Sequence, residues 1–242
     1  MTATRVADKT DLALVALVGA IFAMGSLGIG NADEGKVVAY LKDDPDQNPE
    51  KSGSSNGEGV WAGKKAPKEA LDAAITSKTK LVAITHMSNV LGTVTPLKDI
   101  VARAHAKGVP VLADGAQGAV HEIIDVVDLD IDFYAITGHK IYGPTGIGAL
   151  YAKRAHLKAM RPFNGGGEMI REVSQDRITY ADAPARFEAG TPAIIEAVGL
   201  GAAMDYLNSF DRKAVHAHEH DIYTYARARV AELNWLRVIG DA

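Results

Sequence analysis

Three short apolar runs constrain the fold of this chain more than any other feature of its sequence. They are residues 80–85, 109–113 and 131–136, and polar or turn-forming residues follow each of them. Runs of this length that are apolar on both faces are typical of strands buried on both sides of a sheet. The sequence therefore predicts a sheet with other elements packed on both faces.

Helical patterns separate these runs. Pro67 predicts the start of a first helix that turns Leu71 and Ile75 inward. A second helix has one apolar face within residues 97–105, and Gly108 is expected to end it. Because strands alternate with helices, we expect an α/β fold, with a mainly parallel sheet and flanking helices.

The pattern continues less regularly towards the end of the chain. Another strand is expected at residues 147–151, and helices are expected at 193–208 and 212–233. The apolar residues 235–239 are expected to begin one more strand. A sheet element would then lie close to the last residue.

The first part of the chain has a different composition. Residues 12–30 carry no charge, and a helix of that length just spans a hydrocarbon core of about 30 Å. A membrane helix and a buried helix rich in alanine and glycine both remain open. Residues 43–65 are rich in Pro, Gly, Ser and charge, which predicts an exposed linker. We therefore expect an N-terminal segment (1–42), the linker and a core (66–242).

Charge and composition exclude several classes of function. The net charge of -4 gives no reason to expect nucleic acid as a partner. The chain contains no cysteine, which excludes disulfides, thiolate metal sites and a cysteine nucleophile within it.

Two chemically distinctive residues follow successive predicted strands. Asp114 follows the run 109–113, and Lys140 lies just beyond the run 131–136. Exits of adjacent parallel strands meet at one edge of a sheet, so a carboxylate and an amine would share a crevice. Pyridoxal phosphate (PLP) needs such a pair, because a lysine holds its aldehyde and a carboxylate keeps its ring nitrogen protonated. Taken singly, Lys140 could be a solvated lysine and Asp114 a helix cap.

Four ordered motifs carry a resemblance to a known family. They are residues 86–93, 113–117, 137–148 and 186–192. Together they resemble the class V aminotransferase family, specifically the SufS-like cysteine desulfurases, a group that includes selenocysteine lyases. The resemblance covers about residues 66–210 and implies the large domain of a PLP-dependent transferase of fold type I.

The resemblance implies a role for each of three residues around the cofactor ring. Lys140 would be the Schiff-base lysine and the catalytic base. Asp114 would hold the pyridinium nitrogen, and Gln117 would donate a hydrogen bond to the phenolic oxygen.

Four further residues are assigned by the same resemblance. Thr137 and His139 would bind the cofactor phosphate, joined by Thr191 from the other subunit of a homodimer. Asn89 would lie beside the substrate carboxylate. Hydroxyl, imidazole and amide donors suit these anionic groups.

The implied activity is conversion of L-cysteine to L-alanine in the cytoplasm, with sulfur passed to an acceptor protein, as in iron–sulfur cluster assembly. Three departures from the family's sequence pattern limit this implied activity. Residues 1–65 show no recognisable phosphate turn or ring-stacking histidine of the family, and the small domain is expected to lie beyond Ala242. The third departure is the absence of the nucleophilic cysteine. We therefore expect a truncated, desulfurase-type chain that can bind PLP without completing desulfuration.

Two alternatives remain open. One is another class V activity that needs no cysteine, such as an aminotransferase or a β-lyase. The other is a non-enzymatic, degenerate domain tethered to a membrane by residues 12–30.

Two other signals fail because their context is wrong. The glycine-rich residues 143–148 resemble a nucleotide-binding loop, but they precede a strand rather than a helix. His216 and His220 would share a helix face, but no third ligand can be named, so no metal site is expected.

Overall fold

A computed structural model of the chain describes residues 12–13, 36–40 and 68–238. The helices are α1 (Lys68–Ala74), α2 (Leu97–Ala106), α3 (Gly118–His121), α4 (Arg154–Ala159), α5 (Ile194–Asn208) and α6 (Arg212–Ala231). The strands are β1 (Leu12–Ala13), β2 (Lys36–Tyr40), β3 (Thr79–Thr85), β4 (Val111–Asp114), β5 (Phe133–Thr137), β6 (Gly148–Ala152), β7 (Ile170–Val173) and β8 (Ile178–Tyr180). Two 3-10 turns lie at Gly138–Lys140 and Ala185–Phe187.

The main sheet is mixed but mostly parallel. Its strand order is β1-β6-β5-β4-β3-β2. Strands β2 to β5 pair in parallel, whereas β6 runs antiparallel to β5 and β1 runs antiparallel to β6. Strands β7 and β8 form a separate antiparallel pair. The prediction of a mainly parallel α/β sheet with flanking helices is confirmed.

Apolar side chains cover both faces of this sheet. On one face, buried residues of α1 and α2 pack against Val82, Val111 and Tyr134. On the other face, Leu112 and Phe133 pack with Leu157 of α4. The alternation of neighbouring side chains between the two clusters explains why the central residues of these strands are apolar on both faces.

The predicted strands and helices lie close to their observed positions, and local hydrogen bonds explain the shifts. Val109 closes the turn that follows α2, because its N–H donates to the Ala104 carbonyl at 3.0 Å. Gly108 turns the chain there with a φ of 69°. Strand β4 therefore begins at Val111 rather than at residue 109.

One strand prediction is wrong within the part of the chain that the structure describes. Residues 235–238 form no strand, and the Leu236 N–H instead donates to the Leu233 carbonyl at 3.1 Å. Trp235 is 76% exposed, so its apolar ring has no sheet or helix to pack on. An apolar run predicts a strand only where a partner strand can pair with it.

The first residues of the segment 12–30 also differ from the expected helix. Leu12 and Ala13 pair with Tyr151 and Leu150 as strand β1. Residues 14–30 and the predicted linker, 43–65, lie outside the described residues. Among the residues described, no helix is long and apolar enough to cross a membrane.

A buried carboxylate ties the starts of β4 and β5 together. Asp132, with a side chain only 5% exposed, accepts hydrogen bonds from Val111 N at 2.8 Å and His105 Nε2 at 2.6 Å. It also accepts from His156 Nε2 at 2.9 Å and lies 3.2 Å from Lys153 Nζ. Burial raises the pKa of Asp132, but these hydrogen bonds outweigh burial and lower the pKa to about 2.

The depressed pKa of Asp132 predicts acid sensitivity. The ionised Asp132 carboxylate should stabilise the fold above the unfolded-state pKa of about 3.9. This contribution should be lost as the pH falls from about 4 to 2. We expect Asp132→Asn to lower the free energy of unfolding at pH 7 by about 2 kcal/mol and to flatten this acid transition. Urea unfolding across pH 2–7, roughly the range that matters, measures both effects.

Asp128→Asn is the matched control, because Asp128 is exposed and pairs with an exposed Lys98. This substitution should lower the free energy of unfolding by about 0.5 kcal/mol or less. Equal losses in the two variants would contradict the role given to Asp132.

Candidate functional site

The carboxyl ends of β3, β4 and β5 meet at one edge of the sheet. Thr85 is paired with Asp114, and Asp114 is paired with Ala135. Thr137, the last residue of β5, lies beyond Ala135 at the same edge. As predicted, the segments that follow β4 and β5 leave the sheet side by side, where ligands bind in open α/β sheets.

Asp114 shapes the turn that follows β4. Its Oδ1 accepts a hydrogen bond from Ala116 N at 3.0 Å, and Gly115 N donates to the Ala135 carbonyl at 2.8 Å. The residue that precedes α3 is Gln117, whose side chain makes no capping bond. Asp114 thus caps a turn rather than the helix. No donor within residues 68–238 bonds its Oδ2.

Two buried rings pack against this turn. A Cβ atom at Gly115 would overlap the Tyr134 ring, and one at Gly118 would overlap the His86 ring. The rings are joined by a hydrogen bond of 2.9 Å between His86 Nδ1 and the Tyr134 hydroxyl. His86 is therefore a hydrogen-bonded, buried histidine. Sequence reasoning missed Tyr134, although glycines at positions 115 and 118 were a signal of a close packing contact.

Both rings stay neutral near pH 7. Burial lowers the pKa of His86. Burial, and then the negative charges of Asp114 and Glu122, raise the pKa of Tyr134.

The two glycines predict large losses of stability on substitution. Gly115→Ala and Gly118→Ala are each expected to lower the free energy of unfolding by about 3 kcal/mol, because a ring must leave its packed position. Gly201→Ala is the control. Apart from its chain neighbours and the backbone of its own helix, no atom lies within 4 Å of a Cβ there, and the residue is within α5. This change should stabilise the chain by about 0.5 kcal/mol. Similar unfolding midpoints for all three variants in urea would contradict the packing.

The turn after β5 is built around Gly138. Gly138 N donates to the Ile147 carbonyl at 2.8 Å, and the Gly138 carbonyl accepts from Ile141 N and Gly143 N. A Cβ at Gly138 would lie 2.9 Å from the carbonyl oxygens of Ile147 and Pro144, so a side chain does not fit. Lys140, half-buried, is the last residue of this tightly fixed 3-10 turn.

Thr137 and His139 lie beside Lys140 and contact each other. Thr137 Oγ1 and His139 Nδ1 are 2.9 Å apart, and the imidazole is exposed. A hydroxyl and an imidazole that share an exposed edge form a donor pair suited to a phosphate.

Tyr142 ends this turn in a left-handed conformation, with a φ of 64°. Its ring meets the Tyr206 ring edge-on, with centroids 5.9 Å apart. The glycine-rich residues 143–148 then lead into β6, as predicted, and not into a helix. A nucleotide-binding loop is therefore excluded there.

Asn89 and Thr191 lie apart from these two turns. Asn89 is exposed in the loop between β3 and α2. Thr191 is exposed beyond Gly190, whose N–H donates to the Gly167 carbonyl at 3.0 Å. In the described part of the chain, no hydrogen bond joins either residue to Asp114 or Lys140. Their roles remain predictions.

The helix histidines form no metal centre in the described residues. His216 Nδ1 lies 3.4 Å from the His121 carbonyl, and Glu219 pairs with the His121 ring at 3.1 Å. No group of three or more His, Cys, Asp or Glu residues suited to a metal ion is found among residues 68–238.

Comparison with known families decides the relationship. The sequence profile described as "Aminotransferase class-V" matches residues 62–242. The chain belongs to the class V aminotransferase family. This class V chain is 53% identical over 171 residues to a cysteine desulfurase of Dickeya dadantii (strain 3937), covering 70% of this chain and 42% of that protein.

Solved structures agree with this relationship. The cysteine desulfurase CsdA of Escherichia coli is 44% identical, with a TM-score of 0.66, over 69% of this chain and 42% of that one. The apo cysteine desulfurase of Thermococcus onnurineus NA1 is 26% identical, with a TM-score of 0.80, over 97% of this chain and 61% of that one. This class V chain thus has the fold of a PLP-dependent transferase of fold type I. It spans about 42% of the length of the curated relatives it matches.

The residues of this class V chain fit PLP. Asp114 offers a carboxylate oxygen at one strand exit, and Lys140 offers an amine at the next. Thr137 and His139 offer a hydroxyl and imidazole pair at that same exit. Asp114, Lys140 and the Thr137–His139 pair therefore match the ring nitrogen, the aldehyde and the phosphate of the cofactor.

Proposed function

We propose that this class V chain is the PLP-binding part of a cysteine desulfurase that converts L-cysteine to L-alanine. One observation carries the proposal. The Asp114 turn and the Lys140 turn follow adjacent parallel strands, β4 and β5, at the same edge of the sheet. The cysteine desulfurases among its relatives, about half identical in sequence, support the substrate.

Asp114, Gln117, Thr137, His139 and Lys140 would hold the cofactor. The Lys140 amine would bond the aldehyde, Asp114 the ring nitrogen and Gln117 the phenolic oxygen, while Thr137 and His139 would bind the phosphate. A solved structure of a mutant of C-DES, 31% identical with a TM-score of 0.57, contains glycine covalently linked to its PLP cofactor. Bound PLP would supply an electron sink for negative charge at the substrate α-carbon.

The chain's own groups would then move the protons. Asp114 uses Oδ1 within its turn, so Oδ2 is the atom that would keep the ring nitrogen protonated. The Lys140 Nζ, at the next strand exit, would take the α-proton of the substrate.

Substrate binding and assembly extend the proposal. Asn89 would contact the substrate carboxylate, and Thr191 would reach the phosphate of the partner subunit in a homodimer. Helix α5, which follows Thr191, exposes Ile194, Ile195 and Val198 at 60%, 84% and 71%. Such an apolar face favours a subunit contact. The proposed desulfurase would pass sulfur to an acceptor protein and would act in the cytoplasm.

Proton exchange tests the proposed function without requiring a thiol. We expect the chain with PLP to absorb near 420 nm, roughly where lysine-bound PLP absorbs. We also expect it to exchange the α-proton of L-alanine, the proposed product, with deuterium from heavy water, as followed by proton NMR. Absence of both the band and the exchange would overturn the proposal.

The lack of cysteine predicts an incomplete reaction. A protein persulfide needs a thiol, and this chain has none. Incubated with PLP and L-cysteine, it should form no more alanine than a mixture without protein, even though α-proton exchange occurs. Alanine above that level, with L-cysteine as the only thiol present, would contradict this expectation. Parallel incubation with selenocysteine, assayed for selenide, extends the test to the second substrate of the group.

A further inference from the structure

His86 and Tyr134 are buried, titratable residues that take no part in the proposed chemistry. They are 6% and 3% exposed, and a hydrogen bond of 2.9 Å joins them. Their rings meet edge-on, with centroids 5.9 Å apart. Residues buried in this way are ordinarily part of the core, but both of these contact one functional turn.

The backbone between Asp114 and Gly118 is held on several sides by this pair and its strands. The Tyr134 ring lies against Gly115, and the His86 ring lies against Gly118. The backbone N–H of His86 also donates to the backbone carbonyl of Asp114 at 2.9 Å. Movement of either ring would therefore displace the turn that carries Asp114 and Gln117.

The pair adds no competing charge beside Asp114. A protonated His86 would attract the carboxylate and reduce its attraction for a pyridinium. Since burial disfavours the charged forms of both rings, the pair fixes the turn as two neutral groups.

We propose that Tyr134 and His86 are positioning residues that hold the Asp114–Gln117 turn in place for the pyridine ring of PLP. The inference rests on the proposed function, because it concerns the same cofactor site. It adds two residues that contact neither cofactor nor substrate and act through Asp114 and Gln117.

Tyr134→Phe is the first test, because it removes only the hydroxyl. The dissociation constant for PLP, from titration of the absorbance near 420 nm (about the lysine-bound region), should rise about tenfold. The pH midpoint of that band should move upward by about one unit, since a less firmly protonated ring withdraws less charge from Lys140. Tyr225→Phe, at an exposed tyrosine of α6, makes the same chemical change and should alter neither value.

Substitutions of His86 supply an independent test. Asparagine can place a polar atom where Nδ1 lies, so His86→Asn should retain the affinity and the pH midpoint. His86→Leu should show the same losses as Tyr134→Phe. Urea unfolding of each variant without PLP separates these effects from loss of the fold, and a purely structural role would change stability without moving the pH midpoint.

The outcomes separate the inference from the proposed function. If Tyr134→Phe and His86→Leu fold and keep the wild-type affinity and midpoint, the positioning role is overturned while the proposed function stands. If the wild-type chain does not bind PLP, the proposed function fails and the inference fails with it.

Discussion

Replacing Lys140 by alanine is expected to abolish the covalent attachment of PLP and its absorbance near 420 nm, about where lysine-bound PLP absorbs. Alanine has no amine to bond the aldehyde, and the proposed base for the α-proton is lost at the same time. Exchange of the α-proton of L-alanine should fall by about 10²–10⁴-fold. Because Lys140 is half-buried at the end of its turn, the substitution should leave the fold intact.

Lys158→Ala is the matched control, since Lys158 is an exposed lysine of α4. Its spectrum and exchange rate should equal those of the unchanged chain. If the absorbance band survives in Lys140→Ala, then Lys140 is not the attachment residue.

Asp114→Asn is expected to separate attachment from catalysis. Asparagine keeps an oxygen that can accept from Ala116 N, so the turn should persist. It carries no charge to hold the pyridine nitrogen protonated, and the ring then withdraws charge poorly. We expect PLP to remain bound to Lys140, while α-proton exchange falls by about 10²–10³-fold.

An exposed carboxylate provides the comparison. Asp182, with a side chain 84% exposed, pairs with Arg171 on the surface. Asp182→Asn should leave exchange unchanged. Unchanged exchange in Asp114→Asn as well would contradict the assignment of Asp114.

The sequence predicts the framework of the site because its signals are local. Strands buried on both faces are largely apolar, so their approximate ends can be predicted from the sequence. Asp114 and Lys140 follow two such strands, and parallel pairing brings the exits together. The glycine at 138 likewise marks a turn where a side chain would strike carbonyl oxygens.

Other features depend on contacts between distant residues. Tyr134 is one of several apolar residues in β5, and only its approach to His86, far earlier in the chain, reveals its position beside the Asp114 turn. The apolar run at 235–238 has no partner strand among the described residues, and it is irregular beyond a turn at Trp235. Strand β2, Lys36–Tyr40, was not predicted, and its pairing with β3 places it in the same sheet as the core.

The roles of Thr191 and Asn89 were predicted from resemblance rather than from local signals. Both are exposed in loops, and the proposed contacts involve a second subunit or a substrate. The two turns at Asp114 and Lys140 need no such partner, so they carry the account.

The most direct measurement is reduction of the PLP-loaded chain with borohydride, followed by proteolysis and mass spectrometry. We expect one reduced phosphopyridoxyl group on the peptide that contains Lys140, and none in Lys140→Ala. A modified peptide that lacks Lys140, or no specific modification at all, would contradict this expectation.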